Sequence, residues 1–323
     1  MKIGIIKGLF QRVDRGSYIV HIRKNMVYQI NIGFSNFNII TPNSTDSILK
    51  FTGNELVHAI ATCGVINSLS ESDLELKYKK YALECQFDVN NGELLLSDKY
   101  KYFDPSEKRC LSYYRGMILG RLIADKRFDL NVFIHLSTCE NKLKKILTKK
   151  NNSSWMNPDI IAWNSNTNKN DYYVWECKGN INGLINGKSQ AQKIEKVDGN
   201  DVKAQIVSAV YPIDKRIYAT VEDPIIKGED IQLDVDKALQ TYYNPIVRLI
   251  QSHPLQSSNS KLRFGKVEID DEEYTFGLPN DIFECILNDE KSNESKLKNI
   301  VKKHNLDHFE ERENMFGDFI YIK

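Results

Sequence analysis

The chain has 323 residues, 44 of them basic and 43 acidic, with a formal net charge of +1 and a hydrophobic fraction of 41%. These values are typical of a globular protein and exclude a polycation, so a nucleic-acid partner would have to be bound by local patches. No apolar run is long enough to span a membrane, and the first residues become charged too early for a signal peptide. Six cysteines without CxxC spacing predict free thiols in a reducing cytoplasm and argue against a zinc site.

Residues 1–100 predict a β-rich N-terminal subdomain. The predicted elements are strands at residues 17–23, 26–33, 81–89 and 93–97 and a helix at residues 53–68. The last two strands flank Asn90, Asn91 and Gly92, and the pair Asn-Gly accepts the positive φ of a tight hairpin turn. His58 lies on the helix, where we expect a surface or hydrogen-bonded histidine rather than a ligand.

The sequence predicts that residues 101–224 form the core region of the fold. Its clearest helix covers residues 104–128, because Asp104 can cap it, Pro105 suits its first turn and Glu107 completes a capping box. The other predicted elements are strands at residues 130–136, 158–163, 172–179, 205–211 and 216–221 and helices at residues 141–150 and 188–197.

Residues 225–323 predict an α+β C-terminal appendage. Its predicted elements are helices at residues 230–252 and 280–303, a hairpin of residues 261–269 and 273–278, and a last strand at residues 319–322. We expect this appendage to recognise a substrate or a partner.

Three ionisable residues, Asp159, Glu176 and Lys178, interrupt the two strands at residues 158–163 and 172–179. Both strands are otherwise apolar on both faces, as expected for strands in the middle of a covered sheet. Charged side chains are rarely buried without a partner or a metal, so we expect chemistry at this place. Glu176 and Lys178 are two residues apart and therefore point to the same face of their strand.

The pairing of these two strands decides whether the three residues meet. If Trp163 pairs with Tyr172 in an antiparallel hairpin, Asp159 lies opposite Glu176 with Cβ atoms roughly 4.5–5.5 Å apart. Two facing carboxylates repel each other, and a divalent cation between them offsets the repulsion; oxygen ligands of this kind suit Mg²⁺. Lys178, one step along the same face, would then orient or activate a water molecule. A slip of one residue would place Asp159 on the wrong face.

Pro158 and Asp159 on one strand, followed by Glu176 and Lys178 at the end of the next, resemble the motif of the PD-(D/E)xK nuclease superfamily. The resemblance implies an α/β fold of the restriction-endonuclease-like kind, with a mixed central sheet flanked by helices, and it implies that residues 101–224 are the nuclease core. It also implies metal-dependent hydrolysis of phosphodiester bonds in nucleic acid, DNA more often than RNA. By analogy with proteins of this size, the chain is expected to be a restriction or phage-defence nuclease or the nuclease partner of a helicase.

The resemblance assigns roles to individual residues. Asp159 and Glu176, together with the backbone carbonyl of Cys177, are implied as ligands of Mg²⁺, with Mn²⁺ as a substitute. Lys178 is implied to assist the attacking water. A helix after the second strand often sends a Gln or Lys back to the site in this superfamily, and Gln190 is the best positional match. Gln192 and Gln205 are the alternatives for that supporting role.

Two other residues of the central part have structural explanations beside functional ones. Glu107 matches the additional acid that many members of the superfamily carry on the helix before the first core strand, but the capping box explains it without catalysis. His135, inside the first core strand, is expected to be packed and hydrogen-bonded rather than catalytic.

Three alternatives to a nuclease stay open from the sequence. Glu176 and Lys178 can form an ordinary ion pair while Asp159 caps a strand. The same fold can serve as a non-cleaving module that binds nucleic acid or a protein. Residues 182–189 also approach a phosphate-binding P-loop, but only three residues separate Gly183 from Gly187, and a P-loop needs four.

Overall fold

The computed structural model describes residues 21–35, 37, 42–63, 72–136, 147–149, 158–166, 171–256, 261–288, 296–304, 306–309 and 312–323. Within them the protein has a mixed α/β fold with seven α-helices and three β-sheets. The prediction of a mixed α/β fold is therefore confirmed at this level. No helix in these ranges is both long enough and apolar enough to cross a membrane.

The described elements have the following bounds in chain order. The strands are β1 (Val27–Ser35), β2 (Ile48–Thr52), β3 (Phe87–Asn90), β4 (Glu93–Leu96), β5 (Val132–His135), β6 (Leu147–Lys149), β7 (Ile160–Trp163), β8 (Tyr173–Lys178), β9 (Ile194–Val197), β10 (Asn200–Asp201), β11 (Ala204–Ile213), β12 (Arg216–Glu222), β13 (Glu229–Leu233), β14 (Pro254–Leu255), β15 (Leu262–Ile269), β16 (Glu272–Pro279) and β17 (Tyr321–Ile322). The helices are α1 (Gly53–Thr62), α2 (Ser72–Glu84), α3 (Pro105–Phe128), α4 (Gly183–Ala191), α5 (Val235–Ser252), α6 (Asn280–Leu287) and α7 (Lys296–Lys303).

Nine strands form one large mixed sheet in the order β2-β1-β4-β12-β11-β8-β7-β5, with β3 paired to β4. Strands β8 and β11 run parallel, whereas β7 pairs antiparallel with both β8 and β5. Strands β7 and β8 are almost wholly buried, which explains why their sequences are apolar on both faces. Strands β1 to β4, from the N-terminal part of the chain, belong to this same sheet. The division at residues 1–100, 101–224 and 225–323 stays a prediction.

Helices α3 and α4 cover opposite faces of β8. A Cβ atom on Gly120 of α3 would lie 2.6 Å from Sγ of Cys177, and one on Gly187 of α4 would lie 3.4 Å from Cγ of Glu176. Cys177 and Glu176 are neighbours in a strand and so point to opposite faces. The two glycines thus lie where each helix packs against its face of the strand.

The start of α3 confirms the predicted capping box. The side chain of Asp104 accepts hydrogen bonds from the amides of Ser106 and Glu107, and the side chain of Glu107 accepts one from the amide of Asp104. Glu107 is exposed and engaged in this cap. The hairpin turn is also confirmed, because Asn91 and Gly92 have φ values of 49° and 83° between β3 and β4.

Two smaller sheets complete the described fold. One has the order β10-β9-β13-β6, and the other has the order β14-β15-β16-β17. The predicted hairpin of residues 261–269 and 273–278 is confirmed as β15 and β16 of the second sheet.

The chain differs from the predicted elements in several places. Residues 81–84 end helix α2 instead of starting a strand, residues 147–149, 194–197 and 230–233 are in strands instead of helices, and residues 21–23 are not in a strand. The predicted helix at residues 280–303 is two helices, α6 and α7. Residues 17–20, 64–68, 141–146 and 289–295 lie outside the described residues. The three misassigned strands are short and polar and form one small sheet whose pairings join distant segments, so local periodicity could not show them.

Candidate active site

The predicted hairpin register is confirmed. Strands β7 and β8 pair Ile160 with Trp175 and Ala162 with Tyr173. Continuing this ladder by one residue beyond β7 places Asp159 opposite Glu176, as required for the two carboxyl groups to meet.

Asp159 and the end of β8 are joined by two reciprocal hydrogen bonds. The amide of Asp159 donates to Oε2 of Glu176 at 2.8 Å, and the amide of Cys177 donates to Oδ2 of Asp159 at 3.1 Å. The carbonyl of Asp159 accepts a hydrogen bond from the amide of Leu136, at the end of β5, at 2.7 Å. Three adjacent strand ends therefore hold the acidic pair in place.

Lys178 and Gln190 complete a chain of contacts from this pair. Nζ of Lys178 donates to Oε1 of Glu176 and, at 2.6 Å, to Oε1 of Gln190. The side chain of Glu176 is 0% exposed and that of Lys178 is 20% exposed. The lysine thus lies between the buried carboxylate and the solvent. The side-chain amide of Gln190, on helix α4, holds it there.

The surroundings of Glu176 oppose its ionisation. Burial raises its pKa to about 8, with a further rise from the neighbouring charge of Asp159, while the ammonium of Lys178 acts in the opposite direction. A positive charge placed beside a buried carboxyl that faces a second carboxylate would stabilise its ionised form. The two groups supply oxygen ligands, and a divalent cation would supply the charge, so these residues fit the Mg²⁺ that the resemblance implies.

Cys177 can contribute to such a site only through its backbone. Its thiol points to the α3 face, where Oγ of Ser208 lies 3.8 Å from Sγ. Burial raises the pKa of this thiol well above its usual value, so the thiol stays protonated.

The two alternative glutamines do not reach Lys178. Gln192 donates a hydrogen bond to the carbonyl of Ile225. Gln205 is buried and donates to the carbonyls of Ile194 and Lys227. Of the three glutamines proposed for the supporting role, Gln190 is the one in contact with the lysine.

His58 and His135 are the hydrogen-bonded histidines that the sequence predicts. Nε2 of His135 lies 3.0 Å from the hydroxyl of Tyr113, and burial lowers the pKa of this histidine, against the opposite influence of Asp159. Nε2 of His58 lies 2.8 Å from Oδ2 of Asp318. Both histidines are buried, which favours a structural role.

A second carboxylate–lysine pair lies two strands away from Glu176 and was not predicted. Glu222 pairs with Val207 in β11, which in turn pairs with Glu176, so Glu222 and Glu176 share a row of the sheet. Lys188 of α4 forms an ion pair with Glu222, and Oγ of Ser35 donates to Oε1 of Glu222 at 3.0 Å. The sequence does show an acid at the end of an apolar strand. It does not show how that strand pairs with β11, so the position of Glu222 beside Glu176 could not be predicted.

The apparent P-loop is not a phosphate-binding loop. Gly187 lies inside helix α4, which begins at Gly183, so the backbone amides of this segment are used within the helix. A P-loop instead presents free amides in an open loop before the helix.

No protein-family model, no curated protein sequence and no solved structure matches this chain. The resemblance to the PD-(D/E)xK superfamily therefore rests on the residues themselves and on the contacts among Asp159, Glu176, Lys178 and Gln190.

Proposed function

We propose that this protein is a metal-dependent nuclease that cleaves phosphodiester bonds in nucleic acid, with DNA as the favoured substrate. The observation that carries the proposal is the continuous set of contacts that links Asp159 to Glu176, Glu176 to Lys178 and Lys178 to Gln190. The position of these residues at the end of a central hairpin in a mixed sheet, with helices on both faces, supports a restriction-endonuclease-like arrangement.

Asp159 and Glu176, with the backbone carbonyl of Cys177, would hold Mg²⁺ or Mn²⁺. When bound, the metal would polarise the scissile phosphate and lower the pKa of a bound water. The two reciprocal backbone hydrogen bonds keep the carboxylates in a fixed position, so little reorganisation is needed for binding.

Lys178 would be the group that acts on the attacking water. Its ammonium is partly exposed and is held by Gln190 as well as by Glu176. Gln190 would hold the ammonium beside the metal-binding carboxylates, where it could contact a water or a phosphate oxygen. A fixed positive charge there would stabilise the negative charge that develops on the phosphate.

One observation favours a second candidate function, a non-cleaving module that binds nucleic acid or a protein. Glu176 is completely buried and already forms an ion pair with Lys178, as a purely structural pair would. A module of this kind would bind its partner without needing the two carboxylates.

Cleavage of plasmid DNA and of a short RNA, each with and without Mg²⁺ or Mn²⁺, distinguishes the two candidates. We expect metal-dependent cleavage of DNA that is lost in Glu176→Gln and Lys178→Met. Lys203→Met is the matched control, because Asp201 and Lys203 form the same acid-x-Lys pattern and Nζ of Lys203 lies 3.4 Å from Asp171, at the other end of β8. Thermal unfolding would show that each variant is folded.

Retarded but uncut nucleic acid would favour the binding module. Undiminished cleavage in both Glu176→Gln and Lys178→Met would contradict the assignment of the active site.

A further inference from the structure

A cluster outside the hairpin brings together His21, Glu84 and Asp270. The three residues come from the segment before β1, the end of helix α2 and the turn between β15 and β16. One potential ligand atom from each, a ring nitrogen or a carboxylate oxygen, lies within 4.8 Å of the others. The cluster has no part in the proposed nuclease chemistry.

Glu84 presents one carboxylate oxygen that has no hydrogen-bond partner. Its side chain is 0% exposed, and Oε2 is buried without a hydrogen bond in the part of the chain that the structure describes. Oε1, by contrast, accepts hydrogen bonds from the amide of Ile22 at 2.6 Å and from Lys80. Since an unsatisfied buried carboxylate oxygen is costly, Oε2 points to a group that would bind it.

The ring of His21 faces both carboxylates at distances unsuited to hydrogen bonding. Nδ1 of His21 lies 3.7 Å from Oε2 of Glu84 and 3.9 Å from Oδ2 of Asp270. Two ligands of one tetrahedral zinc ion, each about 2.0–2.1 Å from the metal, are separated by roughly 3.3–3.5 Å. The observed separations are close to that value and too long for direct hydrogen bonds.

Lys80 is the group that an ordinary ion-pair explanation would invoke. Its ammonium contacts Oε1 of Glu84 and lies 2.8 Å from Oδ2 of Asp270. The ammonium makes no hydrogen bond to Oε2 of Glu84. Lys80 therefore fixes both carboxylates and leaves Oε2 of Glu84 and the second lone pair of Oδ2 of Asp270 available.

We propose that His21, Glu84 and Asp270 bind a divalent transition metal of the Zn²⁺ class through Nδ1, Oε2 and Oδ2. Imidazole combined with carboxylates suits zinc, whereas Mg²⁺ takes oxygen ligands alone. The scattered cysteines argue against a thiolate site, and this site uses none. His21 is 41% exposed and Asp270 is 30% exposed, so the ion can enter from solvent and keep a water as its fourth ligand.

The three ligands are far apart in sequence, so the bound ion would join three segments of the chain. Glu84 ends a helix, and Asp270 lies in a turn with φ of 51°. A metal held between them would stabilise the folded chain, because the unfolded chain rarely forms such a site.

The test is zinc retention by the full chain after dialysis in excess Mg²⁺, measured as zinc per chain. We expect one Zn²⁺ per chain in the natural sequence and loss of retention in both His21→Asn and Asp270→Asn, with affinity lowered at least about tenfold. The midpoint of thermal unfolding should rise with added Zn²⁺ in the natural sequence and in neither variant. Asp271→Asn is the matched control, because Asp271 lies in the same turn with φ of 61° and is not in the cluster.

The natural chain retaining no zinc would overturn the proposal, as would full retention by either ligand variant. Asp159→Asn should retain zinc, and loss of the ion in that variant would instead assign it to the hairpin and overturn the proposal. Because retention is read without any nuclease assay, the outcome is independent of the proposed function.

Discussion

Asp159 and Glu176 are joined backbone to side chain, with the amide of Asp159 donating to Oε2 of Glu176 at 2.8 Å. This bond explains how an acidic pair can persist in an apolar sheet. One oxygen of Glu176 is satisfied by the neighbouring strand and the other by Lys178, so a buried carboxyl is fully hydrogen-bonded. The residues that would bind a metal thus also join the two strands at the end of the hairpin away from its loop.

The raised pKa of Glu176 predicts that the metal-free protein loses stability as pH rises from about 4.5 to about 8. In that window the folded state holds a proton that the unfolded state has released, so the free energy of unfolding falls with increasing pH. Urea unfolding in EDTA at several pH values would show the slope. Glu176→Gln should lack this contribution, and an equal slope in both proteins would contradict the prediction.

Metal binding should have the opposite pH dependence. Glu176 must lose its proton to bind a cation, so affinity for Mn²⁺ should rise by up to about tenfold per pH unit below pH 8 and level off above it. Calorimetry in buffers of different ionisation enthalpy would count the proton released. A pH-independent affinity between pH 6 and about 8 would argue against Glu176 as a ligand.

Gln190→Ala should lower kcat by about 10- to 100-fold while leaving nucleic-acid binding nearly unchanged, since Gln190 acts by positioning Lys178. Single-turnover cleavage and a separate binding titration would resolve the two effects. Gln192→Ala is the matched control, because Gln192 lies nearby and contacts the carbonyl of Ile225 instead. Equal losses in both variants would indicate a general effect on α4 and contradict the positioning role.

Asp318→Asn should destabilise the fold by about 3–5 kcal/mol. The carboxylate of Asp318 is buried, contacts His58 and Tyr242 and lies 3.9 Å from Arg121. Denaturant unfolding would measure the change. Asp307→Asn is the control, because that exposed carboxylate lies 3.6 Å from Arg312, and its loss should cost less than about 1 kcal/mol.

Gly116→Ala should destabilise the protein by about 1–3 kcal/mol and lower cleavage, because the new Cβ would lie 2.7 Å from the backbone of Lys178. The backbone on both sides of that contact has to shift, which moves the lysine relative to Glu176. Gly33→Ala is the control, since its Cβ would meet no atom within 4 Å. Urea unfolding and cleavage assays on the two variants would test the difference.

The hairpin could be predicted from the sequence because its evidence is local. Two apolar segments joined by a polar loop have few possible registers, and the one that matches Trp163 to Tyr172 also aligns Asp159 with Glu176. The contact of Gln190 with Lys178 was predicted from the resemblance, whereas composition alone would not have distinguished Gln190 from Gln192.

Other features depend on pairings between distant segments, and these the sequence could not show. Glu222 shares a row with Glu176 only because β12 and β8 both pair with β11. Glu84 seemed to belong to a strand, whereas the structure places it at the end of α2, facing a turn formed 186 residues later. Tertiary contacts of this kind override local propensity.

Helix α4 carries both Gln190, which holds Lys178, and Lys188, which holds Glu222. Lys188 and Gln190 are two residues apart on one short helix, so a movement of the helix shifts both side chains together. Any partner that tilts this helix would move both side chains at once. A displacement of Lys188 from Glu222 would therefore also displace Gln190 from Lys178.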